Sequence, residues 1–190
     1  DTERFGHRSV GPLRGIKASA WEGGHRMPFI ARWPERIPAG KTTAHTIAFA
    51  DVLATFAGVS GKQKLPQGEA EDSVSFLPVL LHPDRKHKAR PPILHASQVI
   101  RDGDWKLINT KGGRGFGADR KVKYDIELYN LKDDLSEKNN LADKMPEKVE
   151  SLRSKLRSIL ENVLLDTMFE LPGMTELIAA KLSDPQAIAA

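Results

Sequence analysis

Among the side chains able to do chemistry, Lys17 has the most distinctive setting. It ends the stretch Gly11-Pro12-Leu13-Arg14-Gly15-Ile16-Lys17, which leads on to Trp21-Glu22-Gly23-Gly24-His25-Arg26-Met27-Pro28. A lysine on a glycine-flanked loop, just before a Gly-Gly turn and a buried apolar strand, can aim its ammonium at an oxyanion as a compact point charge. Spacing alone leaves the plainer alternative open, a solvated surface lysine. His25, beside the Gly-Gly turn, either lines a cleft or hydrogen-bonds the loop backbone. Glu22 and Arg26 read as turn-stabilising, with a buried carboxylate as a partner for Arg26. His95 falls on an expected strand, where its own sequence setting suits a half-buried sheet histidine. His82 and His87 lie in a basic connector with no carboxylate partner in view, so no metal role is assigned to them. The run Arg85 to Arg90 holds four cations in six residues. It suits a solvated linker, or attraction to a sulfated polysaccharide, and it lacks the interleaved aromatics of base stacking. Trp105 and Tyr129 are expected in the core of a small sheet, and Trp21 stands next to the lysine loop.

These residues belong to a chain of 190 residues that is 39% hydrophobic and 28% charged, the balance of a globular protein. Lys and Arg total 29 against 25 Asp and Glu, a net charge of +4. That permits an anionic substrate without pointing to nucleic acid. With no cysteine, disulfides, thiolate metal sites and a cysteine nucleophile are excluded within these residues. No apolar run reaches about 18 residues, so no membrane-spanning helix is expected. The polar start Asp1-Thr2-Glu3-Arg4 lacks an initiator Met and an apolar signal core, so the expectation is a chain processed or cut from something longer.

The elements that position the candidates follow from periodicity and turn signals. Residues 1–20 read as loop ending in a surface turn, 21–26 as a tight turn, and 27–34 as a short strand bounded by prolines. Phe49, Val52, Leu53 and Phe56 recur at helical spacing over 46–57, with Gly58 placed to end the helix. Residues 60–72 are loop, and 73–81 form a short apolar segment interrupted by Pro78. The basic connector 82–92 is the best candidate for a subdomain boundary. Two strands over 93–100 and 104–109 flank Asp102-Gly103, a strong hairpin signal. A glycine-rich loop covers 111–118 and another strand 127–131. Pro146 opens a helix to about Leu164 with Val149, Leu152, Leu156, Ile159 and Leu160 on one face, and one more short helix is expected after Pro172-Gly173.

At this point a resemblance emerges. The run Gly15 to Pro34 resembles the segment of type I sulfatases (arylsulfatase-like, alkaline-phosphatase superfamily) that follows their last metal-binding motif. Ala50-Asp51-Val52-Leu53-Ala54-Thr55 is similar to the next family helix. Asp72-Ser73-Val74-Ser75-Phe76-Leu77-Pro78 resembles the DG-x-S stretch, with Ser73 in place of the usual Gly. Arg101 to Ile108, Glu127 to Leu131 and Glu137 to Leu141 match the C-terminal subdomain. The resemblance covers about residues 8 to 160.

It implies an α/β fold: the C-terminal part of an alkaline-phosphatase-like sulfatase fold, with a small antiparallel sheet plus a C-terminal helix. Residues 1–85 would end the main domain, 92–165 form the subdomain, and 166–190 a tail. Lys17 would be the family's sulfate-contacting lysine, with His25 and His95 as further substrate-binding candidates. The implied chemistry is sulfate-ester hydrolysis by a formylglycine nucleophile with a divalent cation, usually calcium. No C/S-x-P-x-R motif and no acidic metal pairs are found here, so nucleophile and calcium ligands are expected upstream and the chain alone is expected to be inactive. The implied partners are a sulfated small molecule or polysaccharide and the missing N-terminal part of the same protein, with no nucleic acid and no membrane. A periplasmic or secreted location is the family expectation. Two other readings stay open: a phosphodiesterase or phosphonate hydrolase of the same superfamily, and a non-catalytic module binding acidic glycans.

Overall fold

The computed structural model describes residues 5–62, 65–66, 69–95, 98–110 and 125–168. Four short antiparallel strands, β1 (Ile93–Leu94), β2 (Val99–Asp102), β3 (Trp105–Ile108) and β4 (Glu127–Asn130), form one sheet in chain order. Asp102 pairs with Trp105, so Gly103-Asp104 is a two-residue turn, and Gly103 takes φ +59, a conformation open to glycine at little cost. Register aligns Ile100, Leu107 and Leu128 across the sheet. Strand alternation sends these three to one face and Val99, Ile108 and Tyr129 to the other.

Each face has its own cover. A short 3₁₀ turn, Ala142–Lys144, leads into the long C-terminal helix Pro146–Met168. Proline suits its first position, where no N–H is needed. Val149, Leu152 and Leu156 pack on the Ile100 face, as the helical spacing requires. On the other face Ala20 and Trp21 pack against Val99, Ile108 and Tyr129. The expected surface turn is therefore a buried element. Trp21 is 1% exposed, and Glu22–His25 form a single helical turn, α1.

The segment between α1 and the sheet departs further from the sequence reading. Residues 27–34 form no strand, and Ile30 is 92% exposed. Helix α2 runs Asp51–Val59, and Gly58 lies inside it, with the positive φ of +84 falling at Gly61. Its buried side chains are Asp51 and Thr55, while Phe49, Leu53 and Phe56 are exposed. Buried polar groups need partners, and these have them. The Asp51 carboxylate accepts the N–H of Ala48 (2.7 Å) and of Val74 (2.9 Å), and Thr55 Oγ1 accepts the N–H of Phe76 (3.0 Å). Arg90 grips the same carboxylate through Nε (2.8 Å) and Nη2 (2.9 Å). It is thus a buried anchor and not part of a solvated run. Burial alone would raise the Asp51 pKa, but the Arg90 and backbone donors outweigh it and hold it below the usual carboxylate value. Ser73 donates to Ala50 O (2.7 Å) and accepts the Ala54 N–H (2.9 Å), tying its loop to the first turn of α2. Pro78 lies in the first turn of α3 (Leu77–Leu81). The expected loop over 111–118 and the expected tail helix lie outside the described residues, among which no helix is long and apolar enough to cross a membrane.

Candidate active site

Lys17 is exposed, and no ion pair or hydrogen bond engages its ammonium among the described residues. The loop that carries it is tightly specified. Ala18 sits at φ 70, a left-handed conformation costing about 1 kcal/mol or more for a residue with a Cβ. Its N–H donates to Gly24 O (3.2 Å), and the Gly23 N–H donates to Arg14 O (2.8 Å). The Gly-Gly pair is dictated by this close backbone approach. A Cβ on Gly24 would lie 2.0 Å from the Ser19 carbonyl oxygen, and one on Gly23 2.6 Å from that of Arg14.

Two buried polar knots fix the loop to the sheet. In the first, Arg14 Nη1 donates to Glu127 Oε2 (2.8 Å) and to the Tyr129 hydroxyl (2.9 Å), while its guanidinium covers the Trp21 ring at 4.0 Å. Trp21 Nε1 (3.2 Å) and the Tyr129 hydroxyl also donate to Glu127. Burial and that bond to Glu127 push the Tyr129 pKa far up. In the second knot, Lys106 Nζ lies 3.0 Å from Glu22 Oε1 and 2.8 Å from Glu137 Oε1. Glu137 Oε2 accepts the backbone N–H of Glu22 at 2.6 Å. Burial would raise the Glu22 pKa, but the His25 hydrogen bond and the Lys106 ammonium hold it well below the usual range. Glu137 behaves oppositely: burial prevails over Lys106, and its pKa is raised.

The same knot reaches a cleft of about 620 Å³ whose lining includes His25, Arg26, His95, Arg101, Phe29 and Phe49. Of the three candidates, the structure brings His25 and His95 together, with ring centroids stacked at 3.9 Å, whereas Lys17 is outside this lining. His25 bonds the Glu22 carboxylate (3.2 Å) instead of the loop backbone. His95 lies past the end of β1 and not on a strand, with its N–H bonded to Val99 O (2.8 Å). Burial, then the neighbouring His25 and Lys106, push its pKa down to about 3. Arg26 (3.5 Å) and Arg101 (3.7 Å) flank Glu22 Oε2, so Arg26 does pair with a buried carboxylate. His87 Nε2 meets His82 O at 2.8 Å, and among the described residues no group of three or more His, Cys, Asp or Glu could hold a metal ion.

Sequence reasoning missed Lys106, Glu137 and Arg101 as parts of this site. A signal existed for one of them. Strand alternation places Lys106 on the face of Ile108, the face covered by the Trp21 loop, and a lysine aimed inward there requires a buried counter-charge.

No family model matches the chain. It is 34% identical over 161 residues to N-acetylgalactosamine-6-O-sulfatase of Bacteroides thetaiotaomicron, covering 81% of this chain and 31% of that protein. It is 31% identical over 183 residues to arylsulfatase G of Canis lupus familiaris, covering 83% of this chain and 33% of the relative. A solved structure from work on the metabolism of multiple glycosaminoglycans by Bacteroides thetaiotaomicron superposes with a TM-score of 0.68 at 35% identity, covering 83% of this chain and 34% of that one. The chain thus spans about a third of the length of the relatives it matches. The small antiparallel sheet with its C-terminal helix, the lysine loop locked against that sheet, and these similarities together assign the chain to the type I sulfatases, as a C-terminal portion of their fold.

Proposed function

We propose that this chain supplies the Lys17 loop and one wall of the substrate cleft to an enzyme that hydrolyses sulfate esters. The observation that carries the reading is an exposed Lys17, unpartnered among the described residues, beside a backbone pinned by the Ala18 N–H to Gly24 O and the Gly23 N–H to Arg14 O bonds. An ammonium carried on a backbone fixed in this way is placed to neutralise a sulfate oxygen. His25 and His95 then contact the alcohol portion of the substrate from the cleft wall. Its low pKa keeps the His95 imidazole neutral at neutral pH, suited to hydrogen bonding and to packing against a sugar or aryl ring.

Among the described residues no group of three or more His, Cys, Asp or Glu could hold a metal ion, and the calcium ion and formylglycine nucleophile of the proposed chemistry are placed in the rest of the enzyme. That part also covers the exposed apolar face of α2, and the chain is inactive without it. The substrate is a sulfated small molecule or polysaccharide. Similarity to an N-acetylgalactosamine-6-O-sulfatase supports a sulfated sugar. Export to the periplasm or beyond the cell follows from the same reading.

The test is an assay of the full-length protein on an aryl sulfate beside a diaryl phosphate. Preferential hydrolysis of the sulfate is expected. Preference for the phosphate would move the enzyme to the phosphodiesterase branch. No hydrolysis of either, with steeply salt-dependent binding to heparin, would leave an acidic-glycan binding module.

A further inference from the structure

We infer that Lys106, held between Glu22 and Glu137, is a positioning residue that sets the Lys17 loop and the His25 ring for the reaction. The inference rests on the sulfatase reading of Lys17. Lys106 is 0% exposed, and Glu22 and Glu137 are 1% exposed. The three come from distant parts of the chain, Lys106 from β3, Glu22 from α1 and Glu137 from the turn after β4. Glu137 adopts φ 53, and its main-chain oxygen is held by Arg14 at 3.3 Å, so both knots meet at this turn.

The geometry is directional. Glu137 grips α1 twice, through the backbone N–H of Glu22 and, by way of Lys106, through the Glu22 carboxylate. Glu22 Oε1 then receives His25 Nε2, which fixes the ring that stacks on His95. The two residues after Glu22 carry the other half of the link. Gly23 N–H bonds Arg14 O, and Gly24 O accepts the N–H of Ala18, the neighbour of Lys17. Moving Glu22 therefore moves both the cleft-facing imidazole and the backbone beside the ammonium. Apolar side chains in place of all three groups could be as stable, since desolvating charges offsets much of their attraction, but an apolar side chain at Lys106 alone leaves Glu22 and Glu137 buried without their cation. What an apolar side chain would not supply is a fixed position for Glu22.

The experiment is a double-mutant cycle in the full-length protein on an aryl sulfate, with Lys17→Ala, Lys106→Met and the pair. Lys106→Met is expected to lower kcat by about 10- to 100-fold, the scale of a roughly 1 Å misplacement, with KM little changed. In the Lys17→Ala background the same change should cost less than about threefold, because residues acting through one another are not additive. A kcat for folded Lys106→Met within about threefold of wild type would overturn the inference. So would a loss undiminished by Lys17→Ala, which marks general destabilisation. Should Lys106→Met fail to fold, Glu137→Gln takes its place in the cycle. It keeps an acceptor for the Glu22 N–H and removes one counter-charge of Lys106. A kcat loss of about fivefold, again non-additive with Lys17→Ala, is expected. Amide hydrogen exchange gives a readout independent of activity. Exchange over residues 14–26 should quicken in either variant while the helix from Pro146 is unchanged. If exchange is unchanged in both segments, the clamp is wrong. If wild type hydrolyses no sulfate yet exchange responds as expected, the sulfatase reading is at fault and the clamp stands.

Discussion

Ile100, Leu107, Leu128 and Leu152 in the sheet–helix unit are each 0% exposed, whereas in the preceding segment Ile30 is 92%, Phe49 76% and Phe56 66% exposed. The sheet–helix unit buries an apolar core of its own. The earlier segment buries a few apolar side chains, Trp21, Phe76 and Val79 among them, and is otherwise anchored by polar contacts: Asp51 with Arg90, Thr55 with Phe76, Ser73 with α2, and Glu22 with Lys106. Polar anchors fix geometry while adding little net stability, because each replaces hydrogen bonds to water. Apolar burial supplies the driving force. One region is thus a template whose helix-facing core is completed by its own residues, with Ala20 and Trp21 covering its other face. The other is a presented surface, held in register by the template, with an exposed apolar face.

That contrast can be broken at either end. The largest effect is expected in the template. Leu152→Ala removes a fully buried side chain between the C-terminal helix and the sheet and should cost about 4 kcal/mol in denaturant unfolding of the full-length protein. A loss below about 1 kcal/mol would mean that this core collapses freely around the gap. On the presented surface, Phe56→Ser should cost about 2 kcal/mol in the full-length protein, the worth of burying one aromatic side chain. No loss would show that the α2 face stays in water, against the proposed cover.

A third effect separates the two regions by pH. His95 has a folded pKa of about 3 against an ordinary 6.5. The unfolded chain takes up that proton first, so the stability contributed is complete above about pH 6.5 and is lost as pH falls toward 3. Glu22 acts with the same sign, its contribution present above its ordinary 4.5 and lost below it. Glu137, with a raised pKa, acts oppositely: its contribution is present below 4.5 and lost as pH rises through its folded value. His95→Gln should therefore flatten the fall in stability between pH 6.5 and 3, as read by thermal melts across that range. An unchanged slope would remove His95 from the acid response.

Much of the template was legible in the sequence. The apolar spacing from Val149 to Leu160 drew the helix face, and Asp102-Gly103 drew the hairpin, because both depend on neighbours only a few residues away. The presented segment was not legible in the same way. The apolar run from Met27 to Pro34 promised a strand, yet no ladder forms there among the described residues. The stripe of Phe49, Leu53 and Phe56 promised a core, yet all three are exposed. Periodicity reports which face an element would bury and not what it meets. Lys17 stood out through its glycine frame and its family motif. The Lys106 knot stayed hidden because its members lie 84 and 115 residues apart from Glu22 or its backbone. Arg90 was read with its basic neighbours because nothing local marks the one cation that turns inward to Asp51.

The sulfate-contacting role proposed for Lys17 is tested most directly by turnover of an aryl sulfate by full-length Lys17→Ala, expected to lose at least about a hundredfold in kcat with an unchanged thermal melt. Near wild-type turnover by the folded variant would contradict it.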